Sequence, residues 1–396
     1  MKRVLVLSWY PASGSDSGER IRLKNLLESL SNHSSVTLFS FADDRVTEPE
    51  NHYIDVRSKT VISYKFRRVD LFRALLLKKS IQDIRLSGSS KARKDLSDFL
   101  EKNTFDVIIA NQLPVMGLLF SINHYGNPRI ILDTHNAEGL RMERAARESK
   151  SLLRYVFKSQ ADAVRNLEER ASKSCDLILA VTREDYLYFS NLGARDILIV
   201  PNGSHNRYHN NPYSLRENYD FINLVYVGSL SYSANRNGLL KFLTDYRNMN
   251  CDVSWKLIIA GSGAPKSFIR RIQKYSNVFY KGYVKNSEEF LLSGDAMLVP
   301  LWLGGGSRLK IFEGFSLGIP VIATKVGIEG IDAIDGEHYF EFNSPDDLAK
   351  ILNQFSHSDV ILKIVSNNAF KLSSEYSWKT RFTPLIEYIK CISSNK

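Results

Sequence analysis

The sequence predicts an α/β protein of two doubly wound domains. Three observations carry this expectation. Short apolar runs alternate with helical patterns along the chain, the alternation halts at Pro201-Asn202-Gly203 and restarts at Leu224, and glycine-rich turns recur where apolar runs end. Strands alternating with helices imply parallel sheets joined by right-handed crossovers. A chain of 396 residues, 43% of them hydrophobic, exceeds one ordinary domain and fits two of roughly 150–200 residues each.

In the first half, strands are expected at Val4–Leu7, Val36–Phe41, Val107–Ala110, Ile130–Asp133, Leu177–Val181 and Ile197–Val200. Helical spacing of apolar residues marks Ile21–Leu30 and one long charged helix from about Leu140 to Lys173. The stretch His205–Glu217 is polar and holds a proline, as a linker does. In the second half, strands are expected at Leu224–Gly228, Lys256–Gly261, Val278–Tyr283, Ala296–Pro300, Pro320–Thr324 and a short run around His338–Phe342. Tyr376–Ile392 has the pattern of an amphipathic terminal helix. No internal repeat or low-complexity segment interrupts this order.

Three widely spaced cysteines, Cys175, Cys251 and Cys391, form neither a zinc pattern nor a disulfide framework, which fits a reducing cytosol. Met1–Leu7 starts like a signal peptide, but the apolar run breaks at Ser8–Gly18 and is too short for an h-region. No run approaches the roughly 20 apolar residues of a membrane span. The net charge of +10 is uneven: Arg57–Lys102 holds 13 Lys/Arg against 5 Asp/Glu. Within it, Phe66–Leu86 alternates apolar and basic residues at near-helical spacing. Such a segment either packs on its own domain with a solvated basic face or lies on an anionic membrane surface. No nucleic-acid-binding motif accompanies the charge. No Asp-x-Asp occurs and the eight histidines make no ligand-spaced cluster, so neither a metal nor another cofactor is expected.

Ligands of open parallel sheets bind beyond the carboxyl ends of the strands. The loops to read are therefore Ser8–Gly18, the turn at His135 and Asn136, Gly228-Ser229, Gly261–Gly263, and Gly304–Gly306. The richest is Gly304–Pro320 (GGGSRLKIFEGFSLGIP). There three glycines free the backbone, Ser307 offers an N-cap, and Leu309, Phe312 and Phe315 recur at helical spacing. Arg308 and Lys310 fall in the first turn, where the helix already carries partial positive charge and unpaired N–H groups. Cations there make sense when an anion, most often phosphate, arrives. Glu313, close by, is placed to accept hydrogen bonds from hydroxyls attached to that phosphate, which together describe a nucleotide-sugar site.

On these residues the chain resembles the retaining glycosyltransferases of family 4, whose GT-B fold sets two Rossmann-like domains across a cleft. The markers are the loop ending in Gly18, Asp133–Glu138 (DTHNAE), and Asp176–Val181 leading to Val200–Gly203 (VPNG). Val227–Leu230 (VGSL) with Asn235, Ile258–Gly263 (IIAGSG) and the Gly304–Pro320 segment complete them. The resemblance implies transfer of a sugar from a nucleotide donor, UDP- or GDP-linked, to a glycan or glycolipid acceptor, with configuration retained and without a metal. It assigns Arg308 and Lys310 to the departing pyrophosphate, Glu313 to the donor ribose, Gly18 to the distal phosphate, and His135 to the reaction centre. The turns at Gly228, Ser229 and Gly261 fall on the donor side, and Asn136 and Glu138 on the acceptor side. Many members carry two glutamates eight positions apart; here Gly305 stands at the first. The chain thus resembles a glycine-rich GGGxRxK subset, in which backbone N–H groups of Gly304, Gly305, Gly306 and Ser307 read the sugar hydroxyls. The Arg and Lys that commonly follow the VG turn are replaced by a stretch holding Ser229 and Asn235.

The implied organisation is an acceptor domain over 1–204, a linker over 205–217, a donor domain over 218–375, and a terminal helix over 376–396 packing back on the first domain. The implied role is surface-glycan synthesis in the bacterial cytoplasm at the inner face of the membrane. Two other classes share the fold: a non-catalytic scaffold or binding subunit, which Gly305 favours, and a nucleotide-sugar epimerase, which needs no acceptor.

Overall fold

A computed structural model describes residues 1–12, 18–41, 53–58, 68–122, 126–148, 153–204, 210–214, 221–247, 249–302, 309–357 and 359–392. The chain divides into two compact units, Met1–Pro201 with Arg381–Lys396, and Asn202–Thr380. The expected linker lies largely outside the described residues.

The first unit opens with β1 (Lys2–Ser8), α1 (Gly18–Ser31), β2 (Ser34–Phe41) and β3 (Ile54–Ser58), then α2 (Arg68–Leu77), α3 (Ile81–Ser87) and α4 (Ser90–Lys102). It continues through β4 (Val107–Asn111), α5 (Leu113–Leu119), β5 (Arg129–Asp133), α6 (Glu138–Glu148), α7 (Leu153–Ser174), β6 (Leu177–Ala180), α8 (Arg183–Asn191) and β7 (Ile197–Ile199). The sheet order is β3-β2-β1-β4-β5-β6-β7, and every pairing is parallel. Strands β4 and β6 are buried along their whole length, which is why they read as unbroken apolar runs rather than alternating ones.

The described structure differs from the sequence expectation in three places. Strand β3 (IDVRS) escapes notice because it is an edge strand of mixed polarity, paired to β2 alone. The long helix expected over Leu140–Lys173 is two helices, α6 and α7, packed on each other. The helical pattern of Phe66–Leu86 is also split: Lys78, at φ 50°, leaves the right-handed region, and Ser80 N-caps α3 by accepting from the Asp83 N–H.

The second unit contains β8 (Phe221–Val227), α9 (Ser233–Asp245), β9 (Ser254–Ala260), α10 (Lys266–Ile272), β10 (Val278–Gly282), α11 (Ser287–Leu292) and β11 (Ala296–Val299). It ends with α12 (Leu309–Ser316), β12 (Val321–Ala323), β13 (Phe340–Glu341), α13 (Pro345–His357), α14 (Asp359–Glu375) and the start of α15 (Trp378–Cys391). Its sheet runs β10-β9-β8-β11-β12-β13, again parallel throughout. From Arg381 onward α15 belongs to the first unit, where the Phe382 ring packs under the Arg22 guanidinium at 5.5 Å. Each sheet reverses its strand order beside its first strand, between β1 and β4 and between β8 and β11. A crevice opens at such a point because the crossovers on either side leave toward opposite faces.

Candidate functional site

In the second unit the reversal point carries the cationic helix. Helix α12 follows β11, and Lys310 is its second residue. The Lys310 ammonium donates to the Tyr226 hydroxyl at 3.1 Å and to Asn235 Oδ1 at 3.2 Å, 4.6 Å above the Tyr226 ring. Tyr226 ends the buried part of β8 and Asn235 lies in the first turn of α9, so three elements converge on one amine. Asn235 Nδ2 in turn donates to the Ser229 carbonyl at 2.8 Å. Gly228 lies in close approach here: a Cβ would stand 3.0 Å from Lys310 Nζ and 3.1 Å from the Tyr226 hydroxyl, so these side chains would have to give by a few tenths of an ångström. Gly261 is required more strictly, since at φ 157° its Cβ would meet the Gly228 carbonyl oxygen at 2.0 Å. The turn after β9 therefore nests on the turn after β8 only with glycine at position 261.

Glu313 sits one helical turn beyond Lys310 and accepts a hydrogen bond from the Ser287 hydroxyl at the start of α11. Ser229 is exposed and hydrogen-bonded to Ser231 at 2.7 Å. Arg236 turns to the turn itself, donating to the carbonyls of Leu230 and Ser231 at 2.6 Å each. Gly304, Gly305, Gly306, Ser307 and Arg308 lie outside the described residues. The structure thus gathers Gly228, Gly261 and Lys310 at one crevice, with Glu313 along the same helix.

In the first unit His135 follows β5 and holds φ 58°, an unusual conformation for a residue with a Cβ. Gln112, at the end of the neighbouring strand β4, holds φ 81°. Two such residues on adjacent strand ends mark a place where surrounding structure maintains strain. Register explains the surroundings, because Ser8, Asn111 and Asp133 pair across the ends of β1, β4 and β5. Asp133 is fully buried and takes a forked ion pair from Arg22 of α1, with Nη2 at 2.8 Å and Nε at 3.0 Å. Burial by itself raises the Asp133 pKa, but the Arg22 charge and His135 outweigh it and hold the carboxyl well below its ordinary range. His135 Nε2 lies 2.9 Å from Asn111 Nδ2 and 3.4 Å from Asp133 Oδ2. Asn111 Oδ1 is buried and has no hydrogen-bond partner among the described residues.

The turn after His135 is pinned from behind. The Ala137 N–H donates to Asp185 at 3.0 Å, and Asp185 also closes a capping box with Thr182 on α8. The Gly139 N–H, in the first turn of α6, donates to Glu168 of α7 at 3.2 Å, and the Tyr188 hydroxyl donates to Glu168 at 2.7 Å. Glu138 pairs with Arg141 in its own helix at 2.6 Å, and Asn136 donates its backbone N–H to the Thr134 carbonyl at 2.7 Å. Gly18 opens α1, one turn before Arg22, where a helix presents amides that lack intrahelical acceptors.

Burial pushes the Glu168 pKa up to about 7, against the opposing hydrogen bonds from Tyr188 and Gly139. Between its ordinary value near 4.5 and this raised value, the folded chain binds a proton that the unfolded chain has lost. Stability conferred by Glu168 is therefore present at low pH and is lost as pH rises toward 7, by roughly 3 kcal/mol. Glu168→Gln keeps the acceptor for Gly139 without the charge. Its melting temperature relative to the native chain should climb from pH 5 to pH 8; a constant difference would disprove the assignment.

Sequence reading overlooked Arg22, Asn111, Asp185, Glu168, Tyr226 and Ser287. Asn111 carried a usable signal, since VIIAN ends in a polar residue as RIILD does. Arg22 carried none, lying among Glu19, Arg20 and Lys24 in one charged helix.

Two parallel Rossmann-like sheets with loops gathered at their reversal points define the α/β fold of GT-B glycosyltransferases. Residues 222–357, about a third of the chain, match the family model described as Glycosyl transferases group 1. No curated protein matches the sequence significantly. Among solved structures, sucrose-phosphate synthase from Thermosynechococcus elongatus is similar over 98% of each chain, at 14% identity and a TM-score of 0.71. Anabaena HepE in complex with UDP-glucose matches 98% of this chain and 100% of its own, at 14% identity and a TM-score of 0.67. A TarM variant from S. aureus, in complex with Fondaparinux, alpha-GlcNAc-glycerol and UDP, matches 100% of both chains at 12% identity and a TM-score of 0.68. Among the described residues no helix is long and apolar enough to cross a membrane.

Proposed function

We propose that the chain is a retaining, metal-independent glycosyltransferase of family 4. In this reading it moves a sugar from a UDP- or GDP-linked donor to a lipid-linked or polysaccharide acceptor, in bacterial surface-glycan synthesis at the cytoplasmic face of the membrane. The second unit is the donor domain and the first the acceptor domain. The carrying observation is the Lys310 ammonium, held by Tyr226 and Asn235 against Gly228 at the point where the second sheet reverses its strand order. A nucleoside diphosphate leaves as a concentrated anion, and positive charge already fixed in place lowers that barrier without reorganisation. Lys310, with Arg308, supplies this charge; the turns at Gly228, Ser229 and Gly261 stand on the donor side, and the backbone N–H groups of Gly304, Gly305, Gly306 and Ser307 read the sugar hydroxyls. Glu313 accepts from the donor ribose in place of Ser287. Gly18 offers an amide to the distal phosphate. His135, oriented by Asp133 and Asn111, contacts the transferring sugar, while Asn136 and Glu138 stand on the acceptor side. The UDP and UDP-glucose held by the HepE and TarM structures support a uridine donor first.

The test is a thermal-shift panel of nucleotides and nucleotide sugars. A ligand bound by the folded chain raises its melting temperature by mass action. One nucleotide should stabilise the native chain, with Glu313→Ala abolishing the shift, and transfer should proceed undiminished in a chelator. Silence across the panel refutes donor binding. Binding with no turnover on any acceptor turns the reading to a scaffold, and sugar interconversion without acceptor turns it to an epimerase.

A further inference from the structure

Helix α2 sits in the first unit with its polarity inverted. Its one acid, Asp70, is 2% exposed, and Ala74, one turn on, is 0% exposed. Val69, Phe72 and Leu76, spaced along the opposite stripe, are 55%, 68% and 70% exposed. The orientation is locked. Asp70 Oδ2 takes a buried ion pair from Arg85 Nε of α3 at 2.9 Å. Gln160 of α7 then clamps the junction after the helix, donating to the Lys79 carbonyl at 3.3 Å and accepting from the Ile81 N–H at 2.9 Å. Rotating α2 to bury its apolar stripe would break that ion pair and leave a charge unpaired, which costs several kcal/mol. Leu75 and Leu77 extend the exposed area.

Cations frame this surface. Arg73, Lys78 and Lys79 are exposed on and just after α2. Soluble surfaces rarely gather aliphatic and aromatic side chains in one patch without a partner. A patch that joins them to Lys and Arg, with the helix's own acid turned inward, is complementary to a surface apolar below and negatively charged above. Long basic side chains reach up to headgroups while their neighbours enter the acyl boundary, and aromatic rings settle at that depth.

We infer that the outer face of α2 is an anchor that seats the first unit on an anionic lipid bilayer. This deepens the membrane-side part of the proposed function, yet its test reads lipid binding and needs no catalysis, so either can fail alone. The full chain is floated with phosphatidylcholine vesicles, with and without phosphatidylglycerol. Binding to the anionic vesicles should exceed binding to the neutral ones by at least about tenfold and fall with salt. Phe72→Glu with Leu76→Glu should lower it at least about tenfold, since charge at the boundary opposes insertion. Lys91→Glu with Lys94→Glu, in the same basic region but on α4, should change it by less than about threefold, as separated exposed charges are screened. Circular dichroism of each variant shows that it folds. No vesicle binding, equal binding to both vesicles, or undiminished binding by the α2 variant overturns the inference. So does loss of a dimer in light scattering as the sole effect of that variant, which would make a second copy of the chain the occupant.

Discussion

Lys310→Met lowers the rate of nucleoside diphosphate release by about 10²–10³-fold, with the second unit still folded. The methylene stem is kept, so packing against the Tyr226 ring survives; what disappears is a charge held by two hydrogen bonds at a place where an anion departs. Lys310→Arg is expected to recover little, because a planar fork does not reproduce a compact ammonium held between the Tyr226 hydroxyl and Asn235 Oδ1. Single-turnover release with the donor found by thermal shift measures the step, and nucleotide binding measured alongside separates charge in the transition state from charge in the ground state. A rate within a factor of about three of the native chain would sink the assignment, since one preorganised donor is ordinarily worth far more than that. Lys310 would then be a residue that merely joins α12 to β8.

Arg22→Met destabilises the first unit by about 3–5 kcal/mol, the cost of leaving a buried carboxylate unpaired. Both side chains are essentially inaccessible, and Arg22 also donates to the Val200 carbonyl at 3.0 Å, so its loss strips the buried carboxylate of its forked partner and leaves only His135 and Asn111 beside it. The companion measurement is Arg22→Met with Asp133→Leu, which removes both charges and should recover a large part of the loss. Urea midpoints followed by circular dichroism report both, and the double-mutant cycle isolates the pair. Equal losses in the single and double variants would mean that shape, not charge, holds this corner. Because Asp133 also orients His135, the double variant should stay folded yet lose transfer activity, which distinguishes a positioning role from a purely stabilising one.

Much of this was legible from the chain alone. Apolar runs in both halves located twelve of the described strands, most clearly the central ones such as β4, β6 and β11 that are buried along their length, and missed the mixed edge strand β3. Glycines at Gly228 and Gly261 were legible as places of close backbone approach, although the neighbour that demands each of them was not. Helix boundaries were less legible: amphipathic periodicity carries across α2 and α3 unchanged, whereas the break between them depends on one backbone angle at Lys78 and one cap at Ser80.

By itself the sequence determined the parallel α/β class, the ends of the sheets where ligands gather, and the residue types offered there. These follow from side-chain periodicity and backbone permissiveness, which are local properties. Tertiary structure alone decided which residues meet. Arg22 finds Asp133 across 111 positions, Lys310 finds Tyr226 across 84, and Asp70 turns inward to Arg85 so that an apolar stripe faces out. Strand order and register make those choices, and they are set by the burial of both sheets as wholes, a quantity that no short window of the chain contains.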